Sequence, residues 1–234
     1  SIDSTMTGRD FTGWVSMYDG VPISRSAMEE WLTDTLDSIP LEPNDSALEV
    51  GCGTGMLLFS LEPRCKEYIG IDMSGHSLAF VEAQIKNRGL TSKVQTIQGM
   101  ADQLPRLLPV EKQVDLIIIN SVVQYFPSGD YLENVLRHCA DKLNDGGRIF
   151  LGDIRSLGLD VHHDLARVLH CDPSPDLSTF EIQERLESLQ YRQNELKVNP
   201  SFFFQFQEKL DGRISHVEIL PKLMTTHNEL SQFR

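Results

Sequence analysis

SALEVGCGTGMLLFSLE, residues 46–62, passes from an apolar strand-like run through Gly51, Gly53 and Gly55 into a segment of helical composition. A short strand, a glycine turn and a helix are the opening of a β-α-β unit. Missing Cβ atoms let such a turn tighten and let a ligand approach the backbone closely. The same order returns in EYIGIDMSGHSLAFVEAQIKNRG, residues 67–89, where Gly89 is a helix stop. Further out, KVQTIQGMA (93–101) reads as a third strand and VDLIIIN (114–120) as a fourth. YLENVLRHCADKLNDGG (131–147) reads as a helix closed by Gly146 and Gly147, and RIFLGDI (148–154) as a fifth strand. Short apolar strands alternating with helices predict an α/β fold, its mostly parallel sheet covered on both faces.

The flanks read differently. Residues 1–10 are polar and expected to be frayed; FTGWVSMYDGVPIS (11–24) is aromatic and Gly-rich. It leads into RSAMEEWLTDTLDSI, where Met28, Trp31, Leu32 and Leu36 recur at helical spacing. Past Asp153, residues 161–171 and 179–197 have helical patterns, NPSFFFQFQEKL gathers four Phe residues, and ISHVEILPKLM (214–224) is expected to be a sixth strand. The 234 residues therefore divide into an N-terminal lid and helix (1–45), a cofactor-binding core (46–154), a helical acceptor-side cap (155–212) and a C-terminal strand region (213–234) of a single domain.

Composition narrows the function. A formal net charge of −13 repels phosphate and argues against nucleic-acid binding. The Phe cluster lacks the basic neighbours of a base-stacking platform. Cysteines 52, 65, 139 and 171 form neither a CxxC pair nor a regular framework, so they read as free thiols in a reducing compartment, and no metal site is expected. No apolar run approaches the roughly 18 residues of a membrane span, and the first residues lack a signal-peptide core. A soluble, cytoplasmic protein is the expectation.

Asp72 ends the second strand, 21 positions past Gly51, where a carboxylate can accept both ribose hydroxyls of an adenosine-containing cofactor. The pair leaves open a nicotinamide or a sulfonium cofactor. Three details favour the sulfonium. The loop is GxGxG and departs from the dinucleotide order GxGxxG, and it lacks the lysine of a triphosphate loop. Glu49, two residues before Gly51, would repel a pyrophosphate but suits a cationic ligand.

With these features in place, LEVGCGTG, YIGIDMS and LNDGGRIFLGD make the chain resemble a class I S-adenosylmethionine-dependent methyltransferase with a Rossmann-like fold. GWVSMYDGVPIS, IINSVVQYFPSGDYL, GDIRSLGL and SHVEILPK…NELSQFR are similar to the methyltransferase domains of nonribosomal peptide synthetases and hybrid polyketide–peptide synthetases. The resemblance covers residues 11–234. It implies S-adenosyl-L-methionine as donor, S-adenosyl-L-homocysteine as product, and N-methylation of an aminoacyl or peptidyl group. The acceptor would be a small molecule or a phosphopantetheine-tethered intermediate, with a carrier protein or neighbouring synthetase domains as partners. C-methylation of a polyketide-type intermediate, O-methylation of a free molecule and a catalytically silent docking domain are the alternatives. Two departures stand out: Met100 occupies the position where many relatives carry an Asp for the adenine, leaving Asp102 or the backbone for that role, and the family's apolar final strand after Phe233 and Arg234 is absent.

The resemblance implies that Glu49, Gly51, Gly53 and Gly55, with Cys52 among them, surround the methionine part of the donor, and that Asp72 and Met73 meet its ribose and adenine. It puts Met100 and Ala101 at the adenine rim and Asn120 and Ser121 beneath the transferable methyl. Read from the residues, Trp14 and Tyr18 belong to an aromatic lid that excludes water, with Tyr18 reaching the cofactor. Gln124 and Tyr125 follow strand four, where an amide and a phenol suit an acceptor pocket better than a core. Arg155, His216 and Asn228 complete the substrate candidates, with Glu229 beside Asn228. Glu218, His162, His163 and Tyr125 are the candidates for handling the acceptor proton; His216 and Glu218 share one face of the expected sixth strand.

Overall fold

The computed structural model describes residues 11, 13–171, 177–192 and 195–234. The first ten residues, expected to be frayed, lie outside the described residues. Five strands form at β1 (Ser46–Val50), β2 (Glu67–Asp72), β3 (Val94–Gln98), β4 (Val114–Asn120) and β5 (Leu143–Gly152). All pair in parallel, in the order β3-β2-β1-β4-β5. The order reverses between β1 and β4, and in such sheets ligands bind in the crevice beyond the carboxyl ends at that reversal.

Strand periodicity explains the two cores. Along β4, Leu116 and Ile118 face one side, while Ile117 and Ile119 face the other, all fully buried. The first side is covered by α1 (Arg25–Ser38), through Met28, Trp31 and Leu32, and by α3 (Gly75–Asn87), through Val81 and Ile85. The second is covered by α4 (Leu104–Leu107) and α5 (Gly129–Asp141). Between β1 and β2 the expected helix shrinks to α2 (Leu58–Leu61) and a 3-10 turn, because Pro63 lacks the amide that would continue it. Serines 24, 74 and 128 cap α1, α3 and α5.

Beyond β5 lie α6 (Asp160–Cys171), α7 (Thr179–Arg192), α8 (Ser201–Lys209) and α9 (Glu229–Gln232). In α8 Phe206 is buried in the second core with Phe202 and Phe203 packed against it, while Phe204 is exposed.

Two boundaries differ from expectation. Helix α5 stops at Asp141, and the residues up to Gly147 join β5. The expected sixth strand at 214–224 does not form: that segment pairs with no strand and docks instead on α1. The Leu223 amide donates to Asp34 Oδ1 at 3.0 Å, and the Thr225 hydroxyl donates to Glu30 Oε1 at 2.7 Å. Of the apolar residues in this segment only Met224 is buried, in the first core. Among the described residues no helix is long and apolar enough to cross a membrane.

Ile118→Ala should lower unfolding free energy in urea by about 2–5 kcal/mol. Ile219→Ala, on the exposed segment, should change it by no more than about 0.5 kcal/mol. Comparable losses would restore the sixth strand.

Candidate active site

The carboxyl edge of the sheet collects the glycine loop, Asp72, Gly99, Asn120 and Asp153. Gly51 and Gly55 both have φ of 83°. A Cβ on Gly51 would lie 2.3 Å from Val122 Cγ2, and one on Gly55 would lie 2.6 Å from the Phe59 ring. Side chains are excluded at both by conformation and by space. Above Gly53 the space is open, with no heavy atom within 4 Å of an added Cβ.

The loop amides turn inward. Gly51 and Cys52 N–H donate to Ile71 O at 2.7 and 3.0 Å, Gly53 N–H to Asp72 Oδ2 at 2.8 Å, and Gly55 N–H to Cys52 O at 2.8 Å. A loop built for pyrophosphate presents such amides to the ligand; here four of them are already spent. The Cys52 thiol is core, packed against Gly70, and burial pushes its pKa up. Cys52 thus offers a ligand no thiol.

Asp72 Oδ1 accepts from Ser74 N–H at 2.8 Å. Each Asp72 oxygen takes one backbone donor, leaving further lone pairs for hydroxyls. Met73 and Met100 stand 70% and 46% exposed at the ends of β2 and β3, an amount of apolar surface that a flat ring can cover. Ala101 is buried below them, and Asp102 Oδ1 is occupied by the Tyr131 hydroxyl at 2.8 Å. Glu49 is buried and accepts from Tyr68 Oη at 2.8 Å. Burial pushes its carboxyl up to about 8, against the pull of the Tyr68 hydrogen bond, with Asp72 pushing it further up.

Strands β4 and β5 end alike. Asn120 pairs in register with Gly152, and the next residue on each strand, Ser121 and Asp153, has φ of 56°. Left-handed backbone in two neighbouring non-glycine residues is stored strain of about 1–3 kcal/mol each. It throws the Ser121 hydroxyl onto Asp153 Oδ2, at 2.5 Å. The same oxygen accepts from Trp31 Nε1 at 2.8 Å, while Lys222 Nζ lies 2.8 Å from Oδ1. Ser121 is therefore held in a protein network, and Asn120 Nδ2 donates to its Oγ at 3.2 Å.

The N-terminal segment folds over this edge. Trp14 packs tilted against Trp31, with centroids 4.8 Å apart and planes at 46°, and rests on the first core. Tyr18 lies beside His163 and His170, its buried hydroxyl without a partner among the described residues. Burial, then Glu229, pushes the Tyr18 phenol up to about 12, so it stays protonated at neutral pH. Glu229, also buried, accepts the Met17 N–H at 2.8 Å. Of the two adjacent histidines only His163 is enclosed; burial and then Arg155 hold its pKa below the usual imidazole value. His162 is exposed.

Several expected site residues have other duties. Arg155 is 2% exposed, bonded to Glu195 at 2.8 Å and Asp160 at 3.4 Å, so its guanidinium ties the cap together and is not available to an acceptor. Asn228 caps α9, its Oδ1 accepting from Leu230 and Ser231 N–H. His216 and Glu218 are exposed on the segment that forms no strand, so they share no strand face. Tyr125 is 75% exposed on the turn after β4, whereas Gln124 is buried, donating Nε2–H to Ser121 O at 3.0 Å. Asp153 and Lys222 were missed as site residues; their one sequence signal is Asp153 immediately after a strand-ending glycine.

A family model described as a methyltransferase domain matches residues 48–149. Nonribosomal peptide synthetase penN of Penicillium thymicola is 41% identical over 235 residues, covering 100% of this chain and 8% of that protein. Peramine synthetase A of Epichloe festucae (strain Fl1) is 41% identical over 231 residues, covering 97% of this chain and 8% of that protein. The chain thus spans under a tenth of the length of these relatives. The BH2331 protein of Bacillus halodurans C-125 shares the fold at a TM-score of 0.53 and 17% identity, over 76% of this chain and 67% of that one.

Residues 48–149 match the methyltransferase domain family, on a Rossmann-like parallel α/β sheet. The cofactor expected from the sequence is S-adenosylmethionine, with S-adenosylhomocysteine as its product. The methyltransferase edge fits that cofactor: the inward loop amides leave no phosphate cradle, Asp72 retains lone pairs for hydroxyls, and Met73 and Met100 present thioether surface.

In calorimetry Asp72→Ala should weaken S-adenosylhomocysteine binding at least about tenfold, while NAD binds to neither protein. Glu49 adds a pH effect. The unfolded chain ionises it from the ordinary value of 4.5 while the folded chain keeps it protonated to about 8, so its contribution to stability falls as pH rises across that window. Urea titrations of Glu49→Gln should show a shallower decline over the same window. An unchanged slope would mean the folded carboxyl is not raised.

Proposed function

We propose that this methyltransferase domain N-methylates an aminoacyl or peptidyl group carried as a thioester on a phosphopantetheine arm within a nonribosomal peptide synthetase. The relatives that carry this reading are peptide synthetases aligned over 97–100% of the chain. In this reading a carrier protein brings the acceptor to the cleft.

Asp72 takes the ribose hydroxyls, Met73, Met100 and Ala101 form the adenine rim, and Glu49 with the Gly51–Gly55 loop surrounds the methionine end. Tyr18, as a protonated phenol, closes the lid. S-adenosylmethionine, when bound, supplies a methyl group already activated on cationic sulfur. The chain's tasks are then to hold the acceptor in line, exclude water and accept its polar hydrogens.

One observation favours nitrogen as the methylated atom. Asn120 Oδ1 and Gln124 Oε1 are buried amide oxygens with no hydrogen-bond partner among the described residues. Buried acceptors left without donors are costly, and an N–H acceptor supplies what they lack. A carbon acceptor would need a base against its C–H; the exposed Glu218 and His162 are not placed for that role. A neutral amine attacks with its own lone pair and then releases its proton to solvent.

Incubated with the donor and an aminoacyl thioester of a short pantetheine mimic, the domain should yield a product with one added methyl, located on nitrogen by fragmentation. Efficiency on the corresponding free amino acid should be at least about tenfold lower, because the remote arm contributes binding energy to the reacting centre. Methyl on carbon, or equal use of the free amino acid, would overturn the corresponding half of the proposal.

A further inference from the structure

The hydrogen bonds around Asp153 have a direction. The Trp31 indole N–H and the Lys222 ammonium can only donate, so the Asp153 carboxyl is met by donors from two sides: the indole 2.8 Å from Oδ2, the ammonium 2.8 Å from Oδ1. Ser121 has one hydroxyl proton, and its Oγ lies 2.5 Å from the same Oδ2. That proton therefore points at Asp153. The lone pairs left on Ser121 Oγ then require a donor from Asn120, whose Nδ2 lies 3.2 Å away. With the amide nitrogen turned toward Ser121, Oδ1 must point the other way. It lies over Gly152, where a Cβ would approach it to 1.9 Å, and it is buried without a partner among the described residues.

We propose that Asp153 is a positioning residue: acting through Ser121, it sets the Asn120 amide so that Oδ1 accepts an N–H of the acceptor amine. This deepens the N-methylation reading and rests on it. If the amide flipped, its oxygen would face the Ser121 lone pairs, and its NH2 group would face the incoming N–H. Both contacts would then be repulsive. The left-handed backbone at Ser121 and Asp153 fits the same role, since strain of that kind persists where surrounding structure holds it and tends to gather at working sites. Gly152 belongs to the device because only hydrogen fits beneath Oδ1.

The decisive variant is Ser121→Gly, which deletes the hydroxyl while relieving the φ of 56°. A purely structural serine at this position would be replaced without loss. The relay instead requires kcat/KM for an aminoacyl pantetheine thioester to fall about tenfold or more, as expected for one hydrogen bond at the reacting centre, with the melting temperature held and S-adenosylhomocysteine affinity within about twofold by calorimetry. Asn120→Ala should give a similar fall, and the double variant no further fall, because Ser121 acts only through Asn120. Gly152→Ala, whose backbone needs no left-handed conformation, should lose the same factor by displacing Oδ1. Asp153→Asn also removes the Lys222 ion pair, so its loss of activity counts only if the folded fraction is retained. Multiplicative effects of Ser121→Gly and Asn120→Ala, or an unchanged kcat/KM in Ser121→Gly, would overturn the relay. So would a loss confined to S-adenosylhomocysteine binding, which would move the Asn120 oxygen to the donor. A wild-type domain that methylates carbon or oxygen instead of the amine would sink the N-methylation reading itself, and that is seen before any variant is made.

Discussion

The Asp153 carboxylate joins parts of the chain that are remote in sequence: Trp31 on α1, Ser121 at the end of β4 and Lys222 on the C-terminal segment. Its side chain has no solvent exposure. A charged group removed from water must be met by oppositely charged or donating groups, and removing its ionic partner, here Lys222, leaves the charge uncompensated at a cost of about 3–5 kcal/mol. The requirement is met only when the N-terminal helix, the sheet edge and the C-terminal segment are all docked. Closing the fold and shaping the carboxyl edge are therefore one event.

A second polar layer performs the same service for the cap. Arg155 reaches Glu195 and Asp160, and Lys197 reaches Asp160 at 2.5 Å. The Val198 amide donates to Arg155 O at 2.9 Å, tying the segment before α8 to the end of β5. Met17 and Glu229 bring the lid and α9 into the layer. Apolar packing covers the two sheet faces, while paired charges and hydrogen bonds organise the acceptor side. This division suits a catalytic edge, where buried polar groups specify orientation and apolar contacts do not.

Legibility in the sequence followed the range of the interactions. The glycine loop and the strand-ending Asp72 were readable as structure because strand, turn and helix are all local in sequence. Gln124 was readable as a polar residue out of place in an apolar run, and it is buried with an oxygen lacking a partner among the described residues. His162 and His163 were indistinguishable as neighbours; a helix turns successive residues by about 100°, so one is exposed and the other enclosed. Arg155 and Asn228 looked like ligand-binding types, but their partners, Glu195 and the α9 amides, were set by tertiary docking and capping. The segment 214–224 misled because alternating apolar residues arise both from a strand ladder and from an extended chain lying on a helix.

The sequence by itself determined the parallel α/β sheet, the order of its strands along the chain, and a glycine loop and a strand-ending acid at the carboxyl edge. Hydrophobic period, glycine conformation and a strand-ending acid are properties of short windows. Only the tertiary structure decided that Glu49 is buried against Tyr68, that Lys222 reaches Asp153, and that the Asn120 oxygen is left as an acceptor. Each of those depends on which remote residue fills the neighbouring space, and burial and hydrogen-bond direction exist only once the chain has closed on itself.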